Sequence, residues 1–360
     1  MGRDRMALPG TQAGGVGKVI GDYKLVAKLG AGGMGSVFRA QHRQTGQIVA
    51  FKVLMPSDAK NKRMVIRFQR ESKIALSVKH PNIVEGLDAG VVGNLCFLAM
   101  EYVDGEALSD LLKREKRISR ERTVDLMIKV ASGLSYAHAK GLIHRDIKPE
   151  NILLGRDGSV KICDLGLARE VKDTGFTMMG AALGTPKYMS PEQVAGSKQI
   201  DARTDVYSLG ATVYHMLAGQ TPYQAKSGAM MMAAQVSGKF TPLLEIAPDV
   251  DPALAQIVER CMQKDVSSRF ASMDDLIAAL KGLKGRRRSA SPAGRPGPSA
   301  PAAKRRAAKS SGGLVVVLGI LVVLGVIAAG VWAAVWGPFK AAGSEYFRKY
   351  IPTSTRDRDK

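Results

Sequence analysis

An α+β fold in two lobes, a small mainly β lobe followed by a larger helical one with one membrane-spanning helix behind them, is predicted by three observations. Short β-type runs at 23–29, 36–41 and 48–54 are separated by turn residues, with a single helical stretch at 63–78 and two further strand-like runs near Val84 and at 96–101. Past Gly105 the apolar spacing becomes helical, as at 120–139, 204–217 and 252–262. Near the end, 314–336 is a run of 23 residues without a charge.

Taken in order, residues 1–22 are a glycine-rich tail with no apolar stretch long enough for a secretory signal. Residues 23–283 hold the two lobes, with no repeat at solenoid or propeller period. From 284 to 313 the chain is Arg, Lys, Ser, Pro, Ala and Gly, a composition unable to bury enough apolar surface to offset its ordering entropy, so it is expected to be a disordered linker. At about 1.5 Å per residue, 314–336 would extend roughly 35 Å, enough for a hydrocarbon core of about 30 Å. A buried core helix is the other reading, but the run is too long and has no amphipathic face, and Trp332, Trp336 and Phe339 cluster at its far end. The tail at 337–360 is below the size at which a domain folds without staples.

Formal charge is +21, which is either a solvated surface or an attraction to polyanions. Ten Lys or Arg residues fall between Lys281 and Lys309, directly before the apolar run, which favours anionic lipid over nucleic acid. No nucleic-acid partner is expected. Cys96, Cys163 and Cys261 are far apart and form no metal-ligand spacing, which suits a reducing cytosol.

The glycines of Gly30-Ala31-Gly32-Gly33-Met34-Gly35-Ser36-Val37 lie between two predicted strands, where a hairpin can bring backbone N–H groups against phosphate oxygens. Alone the pattern is as well explained by simple hairpin chemistry; a dinucleotide fold would need a helix next, and a strand follows. Val49-Ala50-Phe51-Lys52 puts a lysine on a following strand, and Glu71 on the predicted helix is in chain order to pair with it. Each taken alone reads as a surface charge.

His144-Arg145-Asp146-Ile147-Lys148-Pro149-Glu150-Asn151, then Asp164-Leu165-Gly166 after a short strand at 159–163, completes an ordered series. That series resembles the eukaryotic-like, bacterial receptor-type serine/threonine protein kinases over 23 to about 282. The resemblance implies a two-lobed kinase fold and transfer of the ATP γ-phosphate to Ser or Thr hydroxyls of proteins, this chain included, in signal transduction. By the same resemblance Lys52, held by Glu71, would grip the α- and β-phosphates. Asn151 and Asp164 would hold Mg²⁺, or Mn²⁺ in its place, and Asp146 would accept the substrate proton. Lys148 is of the serine/threonine class. Gly30, Gly32 and Gly35 would cover the phosphates; Val37 and Ala50 would contact the adenine ring; Met100 would close the back of its pocket, with Glu101 and Val103 offering hinge backbone. For Met100 alone, ordinary core packing is the better reading. Gly184-Thr185-Pro186 would seat the peptide, Glu192 would pair with Arg269, and Asp205 would brace the catalytic loop. Leu165 and Ser190 stand where the family usually has Phe and Ala.

Arg145 before Asp146 resembles kinases switched on by a phosphate in the activation segment, for which Thr174 and Thr177 are candidates; both could equally be plain loop residues. Basic residues before the apolar run put the kinase lobes in the cytoplasm of a single-pass protein of the cell membrane, although Lys340, Arg348 and Lys349 lie beyond it. Gly325, Ala329 and Ala333 form a stripe that would let two such helices pair into a homodimer, though Ala and Gly are common in such helices anyway.

Overall fold

The computed structural model describes residues 15–32, 35–54, 61–165 and 186–289. The first lobe is an antiparallel sheet of β1 (Val19–Ile20), β2 (Tyr23–Gly32), β3 (Gly35–His42), β4 (Ile48–Val53), β5 (Gly86–Val92) and β6 (Leu95–Glu101), in the order β1-β2-β3-β4-β6-β5. Alternation along β4 sends Val49, Phe51 and Val53 into a core with Tyr23 and Phe97, where the Phe51 and Phe97 rings stack at 5.0 Å. Ala50 and Lys52 take the other, half-open face.

Helix α1 (Lys62–Ser77) starts where the Asn61 side chain accepts from the Arg63 N–H, and lays Phe68 onto Leu54, Cys96 and Leu98 beneath the sheet. Two devices set the transition between lobes. Val78, Ile83, Ala137 and Leu165 form one apolar cluster, so Leu165 fills the place of a larger aromatic by packing there. Val84 N–H donates to the Ile162 carbonyl at 2.9 Å.

The second lobe begins with β7 (Gly105–Ala107) and α2 (Leu108–Glu115), neither expected from the sequence because each is short. Helix α3 (Arg120–Ala139) has the expected bounds and is capped by Ser119. Its Thr123, Met127, Val130, Leu134 and Ala137 are buried at helical spacing. A hairpin of β8 (Ile152–Gly155) and β9 (Val160–Ile162) pairs with β7 to make a three-stranded sheet. Then follow α4 (Pro191–Val194), α5 (Arg203–Ala218), α6 (Gly228–Ser237), α7 (Leu243–Ile246), α8 (Pro252–Cys261) and α9 (Met273–Ser289). Asp251 caps α8 by accepting from the Ala253 and Leu254 N–H groups, with Pro252 at the first turn. Helix α5 is buried along almost its whole length against α3 and α8.

Close packing there depends on Gly210, where a Cβ would fall 2.5 Å from the Cys261 Cβ. Gly210→Ala is expected to destabilise the lobe by about 1–3 kcal/mol, read as a lower urea midpoint with an unchanged slope. Cys96 and Cys261 are buried, Cys163 partly so, and all three are free. Burial pushes the Cys163 thiol well up and the Cys261 thiol to about 12.

The last helix runs to Ser289, past the boundary expected at 283; Lys and Arg are good helix formers and the first proline after it is Pro292. Among the described residues no helix is long and apolar enough to cross a membrane; 314–336, like most of the linker and all of the tail, lies outside them.

Candidate active site

The roof of the site follows from strand register. Gly30 faces Val37, Ala31 faces Ser36 and Gly32 faces Gly35 across the β2–β3 hairpin, whose tip at 33–34 lies outside the described residues. Gly35 has φ 134, and a Cβ there would sit 2.0 Å from the Val53 carbonyl oxygen, so no other residue fits. Val37 lies opposite Lys52, and Lys52 opposite Leu98; Ala50 lies opposite Met100. These side chains share the half-open face of the sheet.

Under that face Lys52 Nζ is 3.0 Å from Asp164 Oδ1 and 3.5 Å from Glu71 Oε2. The other Glu71 oxygen is 3.5 Å from Arg67 Nε, so Glu71 is shared between two cations. Burial pulls the Lys52 ammonium down, but Asp164 and Glu71 outweigh it and the net shift is upward. Burial pushes Asp164 up, and the charge and hydrogen bond of Lys52 bring it below the usual carboxylate range. For Glu71 burial wins and the shift is upward. Lys52 and Asp164 therefore form an ammonium–carboxylate pair at neutral pH. They line a cleft together with Glu71, Leu98, Met100 and Leu165. Lys52→Met is expected to lower the phosphoryl-transfer rate about a hundredfold or more, checked by steady-state kinetics at a temperature where thermal denaturation shows the variant still folded.

The opposite wall is built on the loop between α3 and β8. Lys148 Nζ donates to Asp146 Oδ2 at 2.7 Å, and Asn151 Nδ2 donates to the Asp146 carbonyl at 2.8 Å and to Oδ2 at 3.2 Å. His144 Nδ1 accepts the Asp146 N–H at 3.3 Å, so its Nε2 carries the proton and donates to the Cys163 carbonyl at 3.0 Å. Arg145 has φ 63 and Asp164 φ 57, left-handed conformations that cost about 1–3 kcal/mol each when not glycine. Asp205, fully buried at the start of α5, holds the first in place by accepting from the N–H groups of His144 (2.9 Å) and Arg145 (2.8 Å) and from His138 Nε2 (2.7 Å).

At the hinge, the Glu101 N–H donates to the Glu85 carbonyl at 2.9 Å, so an adenine edge would be met by the Glu101 carbonyl and by Val103. The Glu101 carboxylate pairs with Lys161 at 2.8 Å, and the Arg39 guanidinium lies 5.6 Å from the Tyr102 ring centroid. Below the catalytic loop, Arg269 donates to both Glu192 oxygens at 2.8 Å and to the carbonyls of Gln263, Lys264 and Arg203.

The donor set suits a magnesium nucleotide. Asn151 spends Nδ2 on Asp146, which leaves Oδ1 to offer, and Asp164 gives Oδ1 to Lys52, which leaves Oδ2. Two hard oxygens beside a lysine fit an ion that completes its shell with phosphate and water. No group of three or more His, Cys, Asp or Glu able to hold a metal alone occurs among the described residues, and such an ion does not require one. Gly166, Thr174, Thr177, Gly184 and Thr185 lie outside the described residues. Sequence reasoning missed Thr204, Gln193 and Lys161. Only Gln193 carried a local signal, the Ser190-x-x-Gln193 spacing of a capping box.

The family described as "Protein kinase domain" matches residues 23–279. Serine/threonine-protein kinase pkn3 of Myxococcus xanthus is 37% identical over 285 residues, which cover 76% of this chain and 52% of that protein. PknH of Mycobacterium tuberculosis is 36% identical over 264 residues, covering 73% and 42%. A crystal structure of the M. tuberculosis PknI kinase domain is 29% identical, covers 78% of this chain and 100% of that one, and superposes with a TM-score of 0.59. The chain spans between 39% and 52% of the length of the curated relatives it matches first. With two lobes, the Lys52–Asp164 pair and the Asp146 loop in one arrangement, and the match over 23–279, this chain belongs to the protein kinase family.

Proposed function

We propose that the chain is a serine/threonine protein kinase that transfers the ATP γ-phosphate to protein hydroxyls, its own included, for signal transduction at a membrane. One observation carries the reading: Asp146, Lys148 and Asn151 are bonded to one another, and the Lys52–Asp164 pair lines the adjoining cleft. The Asp146 carboxylate takes the proton of the incoming hydroxyl, and the Lys148 ammonium at 2.7 Å, next to the transferring group, steadies developing negative charge. Lys52 grips the α- and β-phosphates, and Gly30, Gly32 and Gly35 cover them. Asn151 and Asp164 would hold Mg²⁺, which offsets charge developing during transfer. Since the transition state is loose, positioning and electrostatics supply most of the acceleration.

Membrane anchoring by 314–336, attraction of the basic linker to anionic lipid, a cytoplasmic catalytic domain, pairing of the spanning helices and control through Thr174 and Thr177 belong to the same reading. They rest on the sequence patterns given above. Incubating the full chain in detergent with Mg²⁺ and labelled ATP, beside Asp146→Asn, should place phosphate on Ser or Thr in the wild type alone; no incorporation with ATP binding intact would overturn the reading. Release of the chain from membranes by alkaline carbonate would remove the anchor. Full activity after Thr174→Ala with Thr177→Ala would remove the switch.

A further inference from the structure

Ser190 departs from the alanine usual in the family, and its surroundings give the departure a use. It is fully buried, and its hydroxyl is 2.8 Å from Thr204 Oγ1, which donates to Glu192 Oε1 at 2.7 Å. The carboxylate takes the Thr204 hydrogen, so between the two hydroxyls Ser190 donates and Thr204 accepts, with Gln193 Oε1 a second acceptor 3.1 Å from the same Ser190 hydroxyl. The Ser190 N–H is meanwhile given to Gln193 Oε1 at 3.0 Å. That bond fixes which way the amide points, and Nε2 then donates to the Arg145 carbonyl at 2.7 Å.

The Arg145 carbonyl belongs to the peptide plane whose nitrogen is that of Asp146. Arg145 stands at φ 63, a conformation that persists only when its surroundings over-determine it. Asp205 holds the plane before Arg145 through the Arg145 N–H, and Gln193 holds the plane after it. We propose that Gln193, aimed by Ser190, is a positioning residue that sets the direction of the Asp146 carboxylate from the end of the activation segment. The inference rests on the kinase reading above. Any rearrangement that pulls 190–193 away would then loosen the base without touching the nucleotide.

The test uses the full chain: wild type, Asp146→Asn, Gln193→Met and Gln193→Glu, each measured for single-turnover phosphoryl transfer at saturating ATP, nucleotide affinity and melting temperature. Gln193→Met keeps the side-chain length and removes its hydrogen bonds to Ser190 and to the Arg145 carbonyl. It is expected to slow transfer about tenfold or more, with nucleotide affinity within about twofold and melting temperature within about 2 °C. Gln193→Glu keeps the acceptor for Ser190 but turns an anionic oxygen to the Arg145 carbonyl, and should be slower still. Full-rate transfer in Gln193→Met, or a rate loss that follows falling affinity and melting temperature in both variants, overturns the inference alone. A wild type no faster than Asp146→Asn overturns the kinase reading and the inference with it.

Discussion

Asp146→Asn is expected to slow phosphoryl transfer by about two to four orders of magnitude while ATP still binds. The substitution is nearly isosteric, and the Asn151 donation to the Asp146 backbone carbonyl at 2.8 Å does not depend on the side chain, so the loop keeps its anchor. What disappears is an acceptor with negative charge for the substrate proton, and with it the 2.7 Å contact to Lys148. Single-turnover transfer measured beside nucleotide affinity separates these effects. A loss of affinity equal to the loss of rate would make Asp146 a structural residue instead.

Arg269→Ala should give the largest loss of stability of any single change outside the core. The guanidinium is fully buried, meets Glu192 with two parallel bonds of 2.8 Å, and satisfies three backbone carbonyls besides. Removing it strands a half-buried carboxylate, for which the cost is about 3–5 kcal/mol and a fall of roughly 10 °C in melting temperature. The pair also predicts a pH effect. Burial pushes Glu192 up, but the Arg269 hydrogen bonds and charge prevail and hold it below the usual carboxylate range. A depressed carboxyl contributes stability above its unfolded pKa of about 4.3 and loses it as pH falls through the folded value. Wild type and Arg269→Ala should therefore converge in denaturant midpoint below about pH 4, and an unchanged gap there would refute the assignment.

The long helices were legible because their apolar spacing is strong: α3 runs from Arg120 to Ala139 as its pattern dictates, and α8 starts at Pro252 behind its aspartate cap. Short elements were not. Helix α2 has eight residues and β7 three, too few for a period to emerge, and β7 exists because Gly105 lets its backbone meet Leu154, where a Cβ would lie 1.9 Å from a carbonyl oxygen. The charged residues of the site were legible as ordered motifs, and the fold brings Lys52, Glu71 and Asp164 together across long stretches of chain. Invisible in sequence was how the loop is held: φ 63 at Arg145 and the bond from Gln193 are properties of backbone geometry, and a lone glutamine announces neither.

Burial of the native thiols makes the catalytic domain close to blank for thiol chemistry. With Cys163 and Cys261 shifted upward, little thiolate exists at neutral pH, and Cys96 is shut inside the first lobe. Two cysteines introduced at exposed sites, one for Val91 on β5 and one for Gln199 before α5, would take maleimide dyes without first deleting native residues. The distance between the dyes would then report, molecule by molecule, whether the two lobes move when nucleotide is added.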